Sequence, residues 1–261
     1  MRWRRAFRGL QIGVPSLCGL TIGLMYGSRA LAQGTDEFGA YGGLEDRHRL
    51  GSRQDMALEL RFGPYLPNVD GEAGLTGTPY RTVFGDDNRY LLGFEVDYQA
   101  IRVAHLGSLG AGIGWGYTYA TGQAFHPDGG RSGDETGLSL MPFYLVAVFR
   151  ADVLARETLV PVAFYAKAGL GYALWWSSSG EETSREAGVA GRGSSLGYQG
   201  ALGGMLHLNP FDRAAAVEMD NATGINSSYV FLEWYLSSLD GLGSGMQVGT
   251  NTWMLGLTFE I

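Results

Sequence analysis

Apolar and polar residues alternate with a period of two along most of this chain. The stretch "TWMLGLTFEI" sets Trp253, Leu255, Leu257, Phe259 and Ile261 against Thr252, Met254, Gly256, Thr258 and Glu260. That period puts successive side chains on opposite faces of a β-strand. Eight stretches show it or fit strand length. Residues 56–66 place Met56, Leu58, Leu60 and Phe62 opposite Glu59 and Arg61. Residues 89–101 place Leu92, Phe94, Val96 and Tyr98 opposite Glu95, Asp97 and Gln99. In 108–120 the odd face is Leu109, Ala111, Ile113, Trp115, Tyr117 and Tyr119, and the even face is glycine from Gly110 to Gly116. Residues 137–150 are apolar on both faces and give no orientation. Residues 160–176 place Phe164, Ala166, Ala168, Leu170, Tyr172, Leu174 and Trp176 opposite Tyr165 and Lys167. The remaining stretches are 195–208, 228–238 and 247–261.

The links between them alternate in length. Long polar links are expected at 67–88, 121–136, 177–194 and 239–246, and shorter ones at 102–107 and 151–159. The 209–227 link is an exception: "FDRAAAVEM" predicts a short helix with Asp212 near its N-cap. An even number of strands, long loops at one end and mostly short turns at the other predict an all-β fold. It is a closed antiparallel eight-stranded transmembrane β-barrel with long extracellular loops and short periplasmic turns. The last strand then closes against the first, leaving no free edge, and its apolar face meets lipid. Tyr117, Tyr119, Trp176 and Trp253 fall near the outer ends of their strands and face outward, as an aromatic girdle would. A soluble sandwich would turn those faces inward.

The N-terminus agrees. Arg2, Arg4, Arg5 and Arg8 precede a mostly apolar run from Leu10 to Tyr26, and Ala30 and Ala32 form an Ala-x-Ala site. Residues 1–32 read as a secretory signal peptide, 33–55 as a polar periplasmic segment and 56–261 as the barrel. Leu17, just ahead of Cys18, fits a lipoprotein signal poorly. Cleavage after Ala32 removes Cys18, the only cysteine, so no disulfide holds the fold. It also removes five arginines and no acid, leaving 14 basic residues against 26 acidic, a net charge of −12. That balance offers nucleic acid no basic patch. The 42 glycines lack collagen periodicity and point to turns and close backbone approach.

With "FYAKAGLGY", "GINSSYVFLEWY", "LDGLG" and "VGTNTWMLGLTFEI" in view, the chain resembles the small eight-stranded bacterial outer-membrane barrels, the OmpA, OmpX and OmpW type of architecture. The likeness covers 56–261. It implies the outer membrane as location, lipid and lipopolysaccharide as surroundings, and contact between the last strand and the barrel-insertion machinery. The terminal strand departs from the usual terminal aromatic by ending in Ile261, with Phe259 two residues before. No catalytic residue carries over. The implied role is structural or surface-interacting; the alternatives are a narrow pore or small-solute conduit like OmpW, and a lipid-modifying enzyme.

Candidate chemistry lies inside. Glu59, Arg61, Glu95, Asp97, Lys167 and Glu233 share the inward parity, and Lys167 is the only lysine. Gly110, Gly112, Gly114 and Gly116 leave room for long neighbours. Such charges either pair and plug the lumen or line a narrow ion or proton path. His126 in "FHPDGG", with Asp128, Ser132 and Asp134 near in sequence, reads as a solvated turn. His48, His105 and His207 are scattered and give no metal-ligand spacing. No EF-hand spacing appears among the acidic loops, and the glycines of 107–116 lack the helix and Lys-Ser/Thr of a nucleotide loop. Asn221 and Asn226 open sequons that match by chance. No cofactor is expected.

Overall fold

The computed structural model describes residues 55–261, apart from 73, 88, 104–105, 126–129, 155–159, 180–181, 184, 187–188 and 244. The proposed signal peptide and residues 33–54 lie outside the described residues. Eight long antiparallel strands form the body: β1 (Met56–Tyr65), β2 (Arg89–Val103), β3 (Gly107–Phe125), β4 (Arg131–Ala151), β5 (Val162–Ser179), β6 (Arg192–His207), β7 (Ser227–Leu239) and β8 (Asn251–Glu260). Each pairs with its sequence neighbour, and β1 pairs with β8 from Ala57↔Glu260 to Phe62↔Leu255, which closes the barrel. Closure supplies every strand edge with a partner.

Alternation sets the register, because a one-residue slip would turn each face over. On β1, Met56, Leu60 and Phe62 are exposed while Ala57, Glu59 and Arg61 are buried. The same inversion holds around the barrel: Ile113, Leu145, Leu170, Leu202, Leu232 and Leu255 face out. A soluble protein rarely exposes so continuous an apolar surface. The ten residues of β1 and of β8 match the roughly 10 that a tilted strand needs to cross a bilayer. No helix among the described residues is long and apolar enough to cross a membrane.

The apolar residues of β4 alternate after all. Leu138, Leu140, Tyr144, Val146, Val148 and Arg150 are buried, and Phe143, Leu145 and Phe149 are exposed. Both faces are apolar because Leu138 and Leu140 join the apolar filling of the long-link end, while Tyr144, Val146 and Val148 form a separate buried cluster beside the glycines of β3. The β3–β4 ladder passes from Trp115↔Phe143 to Thr118↔Leu140 across Pro142, which has no N–H to give.

The links differ from expectation in four places. Most of 121–136 is strand: β3 and β4 pair as far as Phe125↔Arg131. Above the apolar belt the hairpin sequence is mostly polar, so the alternation disappears while the hydrogen-bonded ladder continues. Likewise 177–194 begins as β5 and ends as β6, with two-residue strands between. Conversely, 247–250 is not strand. Val248 and Thr250 fold inward over the barrel mouth, where Val248 is fully buried.

The 67–88 link also carries a short helix, α1 (Pro79–Phe84), with Pro at its start. The Asp70 carboxylate accepts hydrogen bonds from the Tyr80 and Arg81 backbone N–H groups, at 2.7 and 3.1 Å. At Gly122 of β3 an added Cβ would run into the Val83 carbonyl, so glycine lets α1 lie against the wall. At the other end, α2 (Arg213–Thr223) has Asp212 as N-cap, accepting from Ala215 N–H at 3.0 Å, and Gly224 in the left-handed conformation as its stop.

Candidate functional site

Three layers fill the lumen. Towards the long-link end lies an apolar plug of Tyr65, Leu91, Leu138, Leu140, Tyr235, Leu239, Val248 and Met254, with Tyr80 of α1 inserted into it. The Tyr65 hydroxyl donates to the Val248 carbonyl at 2.8 Å, tying the 240–250 link across the mouth. The charged layer sits below. Towards the opposite end, Met205, Tyr229 and Phe231 cluster with Ala163 and Tyr165.

The charged layer gathers all six inward charges named from the sequence. Arg61 Nη2 donates to Glu59 Oε2 at 2.9 Å and to Glu95, while its Nη1 lies 3.0 Å from Glu233 Oε1. Lys167 Nζ donates to Glu59 Oε2 at 2.6 Å and Glu95 Oε1 at 2.7 Å, with Asp97 Oδ2 at 3.8 Å. Glu59, Glu95 and Glu233 are fully buried, Arg61 and Asp97 are 1% exposed and Lys167 5%. Charges so deeply buried persist only when paired.

Two members were not picked out from the sequence. Arg150 of β4 pairs with Glu260 of β8 and lies 3.6 Å from Glu59 and 3.8 Å from Asp97. Gln99 Nε2 and the Tyr229 hydroxyl also donate to Glu260, each at 3.1 Å. The signal for Arg150 was its own charge at even parity, which orients an otherwise two-sided strand. Glu260 was visible as the polar partner of Phe259 and Ile261. Aromatic rings complete the packing: Arg61 lies 5.4 Å from the Tyr144 ring centre and Lys167 Nζ 5.0 Å from that of Tyr165, whose hydroxyl donates to Glu233 at 2.8 Å.

Glycines make the room. A Cβ at Gly112 would strike the Asp97 carboxylate, and one at Gly114 the Tyr144 ring. A Cβ at Gly93 would lie 2.7 Å from Arg61 Cγ. The bare face of β3 is thus filled by side chains of the flanking strands β2 and β4, and no charged side chain in this layer exceeds 5% exposure.

Glu59, Glu95 and Asp97 each bring a carboxylate oxygen within 4.8 Å of the others. The Lys167 ammonium already lies among these three carboxylates, where a metal ion would otherwise sit. His207 stacks on Tyr229 with ring centres 4.7 Å apart, inside the barrel end. His48, His105, His126 and Asp128 fall outside the described residues, and nothing is described of the side chains of Ser132 and Asp134.

On the outer surface Tyr117, Tyr119 and Trp253 are exposed and Trp176 is half-buried against Tyr117, their ring centres 6.4 Å apart. Trp253 neighbours Trp234 at 6.5 Å, and Trp234 Nε1 donates to Asn251 at 2.6 Å. Rings with a polar edge suit the boundary between lipid and water.

An apolar exterior around a buried polar interior, closed on itself, is the build of a small transmembrane β-barrel of the outer-membrane type. No protein-family model matches the chain, and no curated protein matches it either. Among solved structures it is similar to Ail of Yersinia pestis, at 14% identity over 79% of this chain and 97% of that one, with a TM-score of 0.38. It is also similar to OprG of Pseudomonas aeruginosa, at 12% identity over 81% and 98%, TM-score 0.43. The N-terminal β-barrel domain of OprF from the same organism gives 12%, 80% and 98%, TM-score 0.35.

Proposed function

We propose that this protein is a non-conducting, non-enzymatic barrel of the bacterial outer membrane, with a structural or surface-interaction role. The observation that supports it most is the charged layer: its side chains cross the lumen, pair with one another and are at most 5% exposed. An aqueous path would leave at least one charge hydrated. The long-link end, with α1 and the β3–β4 hairpin, faces outside; the short-link end, with α2, faces the periplasm. The surroundings are outer-membrane lipid and lipopolysaccharide, and β8 is the strand presented to the barrel-insertion machinery.

The test uses cells with and without the protein. It should fractionate with the outer membrane, and external protease should cut near Thr183 while sparing 151–159. Uptake of a small chromogenic solute and the mass spectrum of lipid A should be the same in both strains. Faster uptake would favour the conduit reading, and altered lipid A would favour a lipid-modifying enzyme.

A further inference from the structure

The lipid-facing wall is not smooth. On β6 the outward residues include Leu202, Gly204 and Leu206, and at Gly204 the wall has no side chain. A groove of about 280 Å³ opens there, lined by Gly204 and Leu206, Val162 of β5, Val230 and Leu232 of β7, and Leu255 of β8. Every outward side chain in it is hydrocarbon. The groove starts at the short-link end, where Leu206 is next to the last residue of β6. It reaches Leu255, halfway along the ten residues of β8. Its outward lining falls on two successive rungs of the sheet, Val162–Leu206–Val230 and Gly204–Leu232–Leu255, in the short-link half of the wall.

Packing does not force the gap. An added Cβ at Gly204 would meet only Phe164, at 3.6 Å, and the Ala163 carbonyl at 4.0 Å, both ordinary contacts. A groove wall with nothing against it forfeits dispersion contacts. Within a bilayer the material that can supply them is an acyl chain, and the groove is continuous with the apolar belt that lipid already covers.

We propose that the groove beside Gly204 holds one acyl chain of a phospholipid. The choice of phospholipid rests on the orientation given above, which puts the short-link end in the inner leaflet of the outer membrane. The groove seats a chain between β5 and β8, so that this lipid exchanges more slowly than its neighbours on the belt.

The test is lipid analysis by native mass spectrometry of barrel extracted from outer membranes in mild detergent. Wild type should retain a single phospholipid, and Gly204→Leu, which fills the groove with a side chain, should lose it. Ala168→Leu, which adds the same bulk to another exposed position on the belt, should retain it. Both variants should keep the heat-sensitive gel mobility of a folded barrel. Equal retention by Gly204→Leu and wild type would overturn the site. A wild-type dimer lost in Gly204→Leu would assign the groove to a second copy and overturn it as well. Lipid A retained in place of phospholipid would overturn the ligand by reversing the leaflet. Recovery of the protein outside the outer membrane would instead count against the orientation and function proposed above. In that case refolding into phosphatidylethanolamine vesicles, followed by the same extraction, still tests the groove: retention supports it and no retention overturns it.

Discussion

Lys167 shows how a single side chain holds the interior. Its ammonium donates to Glu59 and Glu95 at 2.6 and 2.7 Å, in a layer where five carboxylates (Glu59, Glu95, Asp97, Glu233, Glu260) face three cations (Arg61, Arg150, Lys167). Lys167→Met would remove one cation and leave two buried carboxylates short of a partner. Breaking a buried pair from one side typically costs about 3–5 kcal/mol, so denaturant unfolding in detergent should show a large loss of stability. Ala168→Val, one residue away on the lipid face, should change little. The glycines make a second residue-scale prediction. Gly114→Val would push a side chain into the Tyr144 ring and displace Arg61 from its stacking, so it should cost about 1–3 kcal/mol by overpacking. The same substitution at outward Ala111 should be tolerated. Six of the eight charges were legible because each stands alone among apolar neighbours of opposite parity. Arg150 and Glu260 were harder to read. Arg150 ends a strand whose two faces are both apolar, and Glu260 lies one residue from the end of the chain.

At the scale of elements, the strands crossing the apolar belt were legible and those rising above it were not. Within the belt one face meets lipid and the other the lumen, and the contrast is written as alternation. Beyond it, Gln123 and Glu135 face water, and only backbone pairing such as Gln123↔Glu135 marks the strand. The six residues of α1 are too few for a periodic signal, and tertiary contacts hold the helix: Tyr80 in the apolar plug and Asp70 on its first N–H groups. Tyr80→Ala should therefore open the 67–88 link to protease while the barrel keeps its gel mobility. Asp70→Ala should do the same more weakly, by about 1 kcal/mol. The opposite holds for α2. It buries no residue, and its base is pinched by Asn209, which donates to the Asn226 carbonyl at 2.7 Å and accepts from Ser228 N–H at 3.0 Å. Replacing 210–225 with a short turn should leave the unfolding midpoint unchanged within about 0.5 kcal/mol. A larger loss would show that α2 packs where the structure has it exposed.

For the whole molecule, two facts act together. The ring of strands is closed by β1 and β8, and the space it encloses is filled from the apolar plug through the charged layer. Closure was legible from an even strand count and from the amphipathic alternation shared by β1 and β8. The filling was not, because parity names the residues facing inward without saying whether they meet. A closed, filled barrel should resist detergent and run faster unheated than boiled on a gel. The central claim is that the charged layer seals the lumen, and its most direct test is electrical. Wild-type barrel inserted in a planar bilayer should add no conductance steps over the bare membrane across ordinary voltages, and Lys167→Met should lower stability without creating an ion-selective current. Steady conductance steps in wild type, with ion selectivity that changes in Lys167→Met, would show an open path through this layer and contradict the account.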